Sequence, residues 1–126
     1  MTIVFDSSAL LALLFDEAGS DVALPFVRGA LLSAVNLDEV LHKCVRRGID
    51  AGAVLDSLRR LEVAIGSFDS EQARVSAALH PRAQALRLSF ADRACLALGI
   101  VHRATVVTAD RVWQAFDGDV DVRLIR

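Results

Sequence analysis

Four acidic residues stand where the chain passes from one element to the next. Asp6 follows the apolar triplet of IVFDSSALL, and Asp110 follows the β-like run of TVVTADRVW. Glu39 lies in SAVNLDEVL three positions after Asn36, and Asp92 lies in SFADRACLALG three positions after Ser89. A Ser or Asn followed at that spacing by a carboxylate marks a helix entry, because the polar side chain caps the helix and the acid favours its positive end. Capping alone would account for Glu39 and Asp92, and a simple turn for Asp6 and Asp110. Brought into one pocket, the four would raise one another's pKa values by repulsion, a cost that a hard divalent cation removes. Oxygen-only ligands, without histidine or thiolate, suit Mg²⁺ or Mn²⁺ rather than zinc. Beside a phosphoryl group, such an ion serves attack by an activated water, which is phosphodiester hydrolysis.

Whether the four meet depends on the elements that carry them. Residues 2–5 predict a buried strand and 8–16 a helix that is apolar almost all round. A short helix over 21–28 would be kinked by Pro25. A strand over 30–35 leads into a helix over 37–47 capped by Asn36 and ended by Gly48, and Asp50 caps a further helix through Leu61. Residues 63–68 predict a short strand, followed by a helix from Asp69 or Ser70 that Pro81 breaks or bends after His80. A helix over 90–101, a strand over 104–108 and an alternating edge strand over 120–125 complete the chain. This alternation predicts one α/β domain over residues 1–126, a parallel sheet flanked by helices in an α/β/α sandwich. Ligands of such sheets bind beyond the carboxyl ends of the strands, where Asp6 and Asp110 lie and which the helix entries of Glu39 and Asp92 can reach.

Composition sets the boundaries. The net charge of −2 excludes a global basic footprint, so a polyanionic substrate must be held locally. Lys43 is the only lysine among 14 lysines and arginines, which reads first as composition bias. The 54% apolar share predicts an unusually complete core or apolar surface kept for a partner, and the face of residues 9–15 is read as a mixture of core and a contact for an antitoxin helix or a second copy of the chain. Cys44 and Cys95 are read as reduced core residues. No charged leader precedes an apolar core, and the run from Ala9 to Phe15 is too short to span a bilayer, which predicts a cytoplasmic protein without membrane contact.

Neighbouring candidates have plainer readings. Asp38 points about 100° away from Glu39 on a helix and serves as its decoy. Asp117, Asp119 and Asp121 read as a solvated turn and edge strand, and Trp113 reads as core in preference to a base-stacking platform. His42, His80 and His102 lack metal-binding spacing, although His42 lies one helical turn from Glu39. Arg93 and Arg111 each follow a site aspartate and either hold phosphate or offset acidic charge.

In this order, FDSSALLALL, NLDEV, SFADRACLALG and VVTADRVW resemble PIN-domain ribonucleases, specifically the VapC toxins of bacterial toxin–antitoxin pairs, over essentially the whole chain. The resemblance implies a compact PIN fold and Mg²⁺- or Mn²⁺-dependent RNA endonuclease activity. It also implies inhibition by a cognate VapB-type antitoxin, and the apolar face of residues 9–15 adds the expectation of a homodimer. Residue by residue, Asp6, Glu39, Asp92 and Asp110 match the acidic quartet, and Thr108 the hydroxyl that supports it. Where the family frequently has a glycine before the leucine-serine of its third motif this chain has Arg87, a departure that bears on the loop entering the helix. Two other readings compete. A phosphatase with Asp6 as nucleophile, resembling the haloacid dehalogenases, wants a second aspartate where Ser8 stands. A catalytically silent, metal-stabilised module would bind RNA or a protein without cutting.

Overall fold

Five short strands form one parallel sheet in a computed structural model that describes residues 1–126. In chain order the strands are β1 (Ile3–Phe5), β2 (Leu31–Ser33), β3 (Ala64–Gly66), β4 (Thr105–Thr108) and β5 (Asp121–Leu124). Their spatial order is β3-β2-β1-β4-β5. Helices α1 (Ser7–Phe15) and α2 (Ser20–Val27) connect β1 to β2, and α3 (Ala34–Arg46) and α4 (Ala51–Arg60) connect β2 to β3. Three helices, α5 (Ser70–Ala78), α6 (His80–Ala85) and α7 (Phe90–His102), precede β4, and a 3₁₀ turn over Arg111–Phe116 precedes β5.

Consecutive strand residues point to opposite faces, and here both faces are covered. Phe5, Leu32 and Val107 join the core under α1 to α4, whereas Val4, Leu31 and Val106 join the core under α7 with Trp113 and Phe116. The sandwich therefore has two separate hydrophobic layers, and each fully buried Leu, Val or Phe contributes about 1.5–3 kcal/mol. Gly99 lets α7 lie directly on the sheet, since a Cβ there would meet Val106 Cγ2 at 2.6 Å and Val120 Cγ1 at 3.2 Å. Both cysteines are buried and unpaired, as their apolar settings predict. No helix is long and apolar enough to cross a membrane.

Several boundaries differ from expectation. Helix α3 starts at Ala34, capped by Ser33, because only Leu31 to Ser33 pair with neighbouring strands. Asn36 is thus inside the helix and not its cap, and Glu39 lies in the second turn. The interruption expected after His80 falls one residue before it, at Leu79 between α5 and α6, and Pro81 sits in the first turn of α6, where its missing N–H costs nothing. The 3₁₀ turn has no counterpart among the predicted elements. Arg87 adopts φ 58°, so the loop keeps a glycine-like left-handed bend despite the larger side chain.

Candidate active site

The strand order reverses between β1 and β4, and the site is built on that switch point. Asp6, the residue after β1, continues the ladder by donating its amide to Val107 O at 3.1 Å. It also caps α1, with Oδ1 accepting from Ala9 N at 2.9 Å. Ser8 Oγ lies 2.8 and 2.9 Å from its two oxygens, and Thr108 Oγ1, at the end of β4, donates to Oδ2 at 2.6 Å. That contact fastens one central strand to the other at the carboxyl edge. Burial pushes the Asp6 carboxyl up to about 6, against the donors Thr108, Ala9 and Ser8, which favour the ionised form, while the charge of Asp92 adds to the rise.

Thr108 serves two acids, because its Oγ1 also accepts from Asp110 N at 3.0 Å. Asp110 caps the 3₁₀ turn, with Oδ1 accepting from Val112 N at 3.0 Å. Ser8, in the first turn of α1, plays the matching part, accepting from Ala109 N at 3.0 Å. The two hydroxyls thereby fix the positions of both strand-end aspartates. Thr108 is the supporting hydroxyl that the family resemblance implies. Ser8 is a site residue that sequence reasoning misses, although the DSS triplet carries the signal of a hydroxyl beside a capping acid.

Asp92 comes in from α7, held by a capping box. Ser89 Oγ accepts from Asp92 N at 3.2 Å while Asp92 Oδ2 accepts from Ser89 N at 2.9 Å. Its pKa is raised by burial, which outweighs the Ser89 hydrogen bonds, and by the charges of Glu39 and Asp110. Asp92 is therefore electrostatically coupled to all three other carboxylates, Asp6 included. Glu39 reaches the cluster from α3, with Oε2 3.9 Å from Lys43 Nζ. Beneath them lies the buried Cys95 thiol, pushed well up by desolvation and by the charges of Asp6, Asp92 and Glu39. Four elements thus bring the predicted quartet into one electrostatic cluster, yet no three His, Cys, Asp or Glu side chains are grouped closely enough to hold an ion. Asp92 and Asp110 each turn one oxygen to their own helix end.

The donor set suits a hard divalent cation in chemistry: all oxygen, one carboxyl fully desolvated, and like charges that a cation would relieve. The second element pair is joined by Asn36, which is buried and donates through Nδ2 to Ala91 O at 3.0 Å, tying the Glu39 helix to the Asp92 helix. The sequence pattern offers this residue only a capping role.

The PIN domain family matches residues 3–119. The chain belongs to that family. The PIN fold extends over nearly its full length in solved structures. A toxin–antitoxin complex from Klebsiella pneumoniae matches with a TM-score of 0.78 and 21% identity, over 99% of this chain and 98% of that one. DNA-bound VapBC from Salmonella typhimurium matches with a TM-score of 0.74 and 11% identity, over 100% and 99%. FitAcB from Neisseria gonorrhoeae matches with 0.72 and 21%, over 98% of each chain. At these identities the likeness is one of fold. No curated protein matches the chain in sequence.

The remaining candidates around the PIN site separate cleanly. Asp38 is exposed. Asp117 accepts from Val122 N, Asp119 pairs with Arg82, and Asp121 accepts from Thr105 Oγ1, so the acidic run is structural. Trp113 is wholly buried in the core. Arg93 donates to Ser76 O at 2.9 Å and faces α5, away from a phosphate role, whereas Arg111 is exposed.

Proposed function

We propose that this PIN domain is a divalent-cation-dependent endoribonuclease, the VapC-type toxin of a toxin–antitoxin pair, held inactive by a cognate VapB-type antitoxin and acting as a homodimer. The observation that carries the reading is the Asp6–Thr108 bond across the switch point, which sets a desolvated carboxyl beside Asp110 and within the field of Asp92. The solved relatives, described as toxin–antitoxin and VapBC complexes, support the antitoxin partner.

Asp6, Glu39, Asp92 and Asp110 are the residues to hold Mg²⁺ or Mn²⁺, which when bound supplies Lewis acidity toward a phosphoryl oxygen and lowers the pKa of water. The protein's part is positional. Ser8 and Thr108 orient Asp6, the Ser89 box orients Asp92, and Asn36 holds the helices of Glu39 and Asp92 together. Hydrolysis at such a site leaves a 5′-phosphate and a 3′-hydroxyl on RNA.

One observation favours the silent binding module instead: no three acidic side chains are grouped tightly enough for an ion. Cleavage of total cellular RNA by purified, partner-free protein separates the two. The nuclease reading predicts discrete fragments in Mn²⁺ or Mg²⁺, lost in EDTA and in Asp92→Asn. Uncut RNA from a folded, Mn²⁺-supplied protein would overturn it in favour of the module.

A further inference from the structure

The largest pocket of the molecule does not lie on the carboxylates but beside them. It has a volume of about 530 Å³ and is lined by four cations, Lys43, Arg46, Arg47 and Arg126, against one carboxylate, Glu17. In a chain of net charge −2 this is a strong local reversal of sign. Lys43 and Arg46 have a structural explanation, since basic residues in the last turn of α3 complement its dipole. The same holds for Arg47, the C-cap of α3, but not for Arg126, which is brought to the pocket from outside that helix.

The cations are also left available. Neither Arg46 nor Arg47 has an acidic partner, and Arg126 meets Glu17 only at 3.9 Å between half-exposed groups, a contact worth little. Arg47 is preorganised, its guanidinium carbon 4.2 Å above the Phe15 ring, so less rotamer freedom remains to be lost on binding an anion. Arg126 is held by donation to Ala18 O at 2.9 Å.

The pocket adjoins the carboxylates through two residues. Ser8 lines it while donating to Asp6, and Lys43 lines it while standing 3.9 Å from Glu39. A cluster of four acids repels a polyanion, so a strand that approaches it needs a cationic hold close by.

We propose that this pocket is a phosphate subsite, taking a backbone phosphate of the RNA strand on one side of the cleaved bond. The inference rests on the nuclease reading for its substrate class. An acidic segment of an antitoxin is the other polyanion that fits the charge. The shared wall with the Asp6 cluster favours RNA, because a subsite there sets the strand's register over the acids.

The test is binding of a labelled 12-nucleotide RNA with a 5′-hydroxyl, so that every phosphate is internal, to wild type and to Arg46→Gln/Arg47→Gln, read by anisotropy across a salt series. Cleavage kinetics are measured in parallel. The expected result is Kd and KM raised roughly tenfold, kcat within about twofold, and a salt slope reduced by about one, with Arg47→Lys restoring most of the loss. If loss of the Phe15 stack lowers Tm, Arg46→Gln alone carries the comparison. Unchanged RNA binding and salt slope would overturn the subsite, whether or not wild type cleaves. Unchanged RNA binding with weakened antitoxin inhibition would assign the pocket to the partner and equally overturn it. Weakened RNA binding without any cleavage by wild type would sink the nuclease reading and uphold the pocket as an RNA backbone-phosphate site without a cleaved bond beside it.

Discussion

Replacing Asp6 with asparagine should make the metal-free protein more stable at neutral pH. The carboxyl is raised from 3.8 to about 6 in the folded chain, chiefly by burial. Below pH 3.8 it is protonated in both folded and unfolded states, and it contributes no difference. Between 3.8 and about 6 the unfolded chain ionises while the folded one keeps its proton, so stability falls as pH rises, and the whole loss is present above 6. At about 1.4 kcal/mol per pH unit the loss is about 3 kcal/mol. The amide introduced by Asp6→Asn escapes that loss and can still be satisfied. Its oxygen can accept from Ala9 N, and its NH₂ group can donate to the Thr108 hydroxyl, which turns from donor to acceptor. For a domain of this size 3 kcal/mol corresponds to about 10 °C in Tm. Thermal melts in EDTA at pH 7.5 and pH 3.5 measure it. The variant should melt about 10 °C above wild type at the higher pH, and the gap should nearly close at the lower. A gap independent of pH, or a variant less stable at both, would refute the reasoning that desolvation of this carboxyl dominates its energetics.

Thr108→Val removes the hydroxyl that donates to Asp6 and accepts from Asp110 N; it should cost about 1–3 kcal/mol and weaken Mn²⁺ binding and RNA cleavage, whereas Thr108→Ser retains both, as melts and titrations will register. Gly99→Ala drives a methyl into Val106 Cγ2 at 2.6 Å and should lower stability by about 1–3 kcal/mol in chemical denaturation, since the clash lies between a helix and a central strand. Arg87→Gly relieves a non-glycine residue at φ 58° and should gain about 1 kcal/mol, raising Tm by a few degrees without changing cleavage.

Much of the architecture was readable because strand and helix signals alternate with little overlap. TIVF and TVVT are apolar or β-branched runs, and Asp50, Asp69 and Ser89 cap where a polar residue precedes a helical pattern. The errors fall where tertiary pairing overrode local choice. Ser33 and Asn36 are both good caps, and only the register of Leu31 and Leu32 against Val4 and Phe5 ends the strand early enough for Ser33 to be used. With the helix begun there, Asn36 is buried and finds the carbonyl of Ala91, 55 residues away, a contact no local pattern encodes. The same holds for the site. Its four acids were visible as junction residues, and Thr108 through the resemblance, but the Ser8 bridge and the cationic pocket depend on residues from opposite ends of the chain. Of residues 9–15, Ala9 to Ala12 are buried in the core and Leu13 to Phe15 are half-buried, while Leu24, Val45, Ile65, Phe90 and Val112 are exposed elsewhere.

The proposal that four carboxylates on four elements form one divalent-cation site is tested most directly by titrating Mn²⁺ into wild type, Asp6→Asn, Glu39→Gln, Asp92→Asn and Asp110→Asn at pH 7.5, with RNA cleavage measured on the same samples. A shared site predicts that each substitution lowers Mn²⁺ affinity at least about tenfold and that cleavage falls with it. Mn²⁺ affinity and cleavage unmoved by Glu39→Gln and Asp110→Asn would contradict the claim and reduce those two acids to a surface pair and a helix cap.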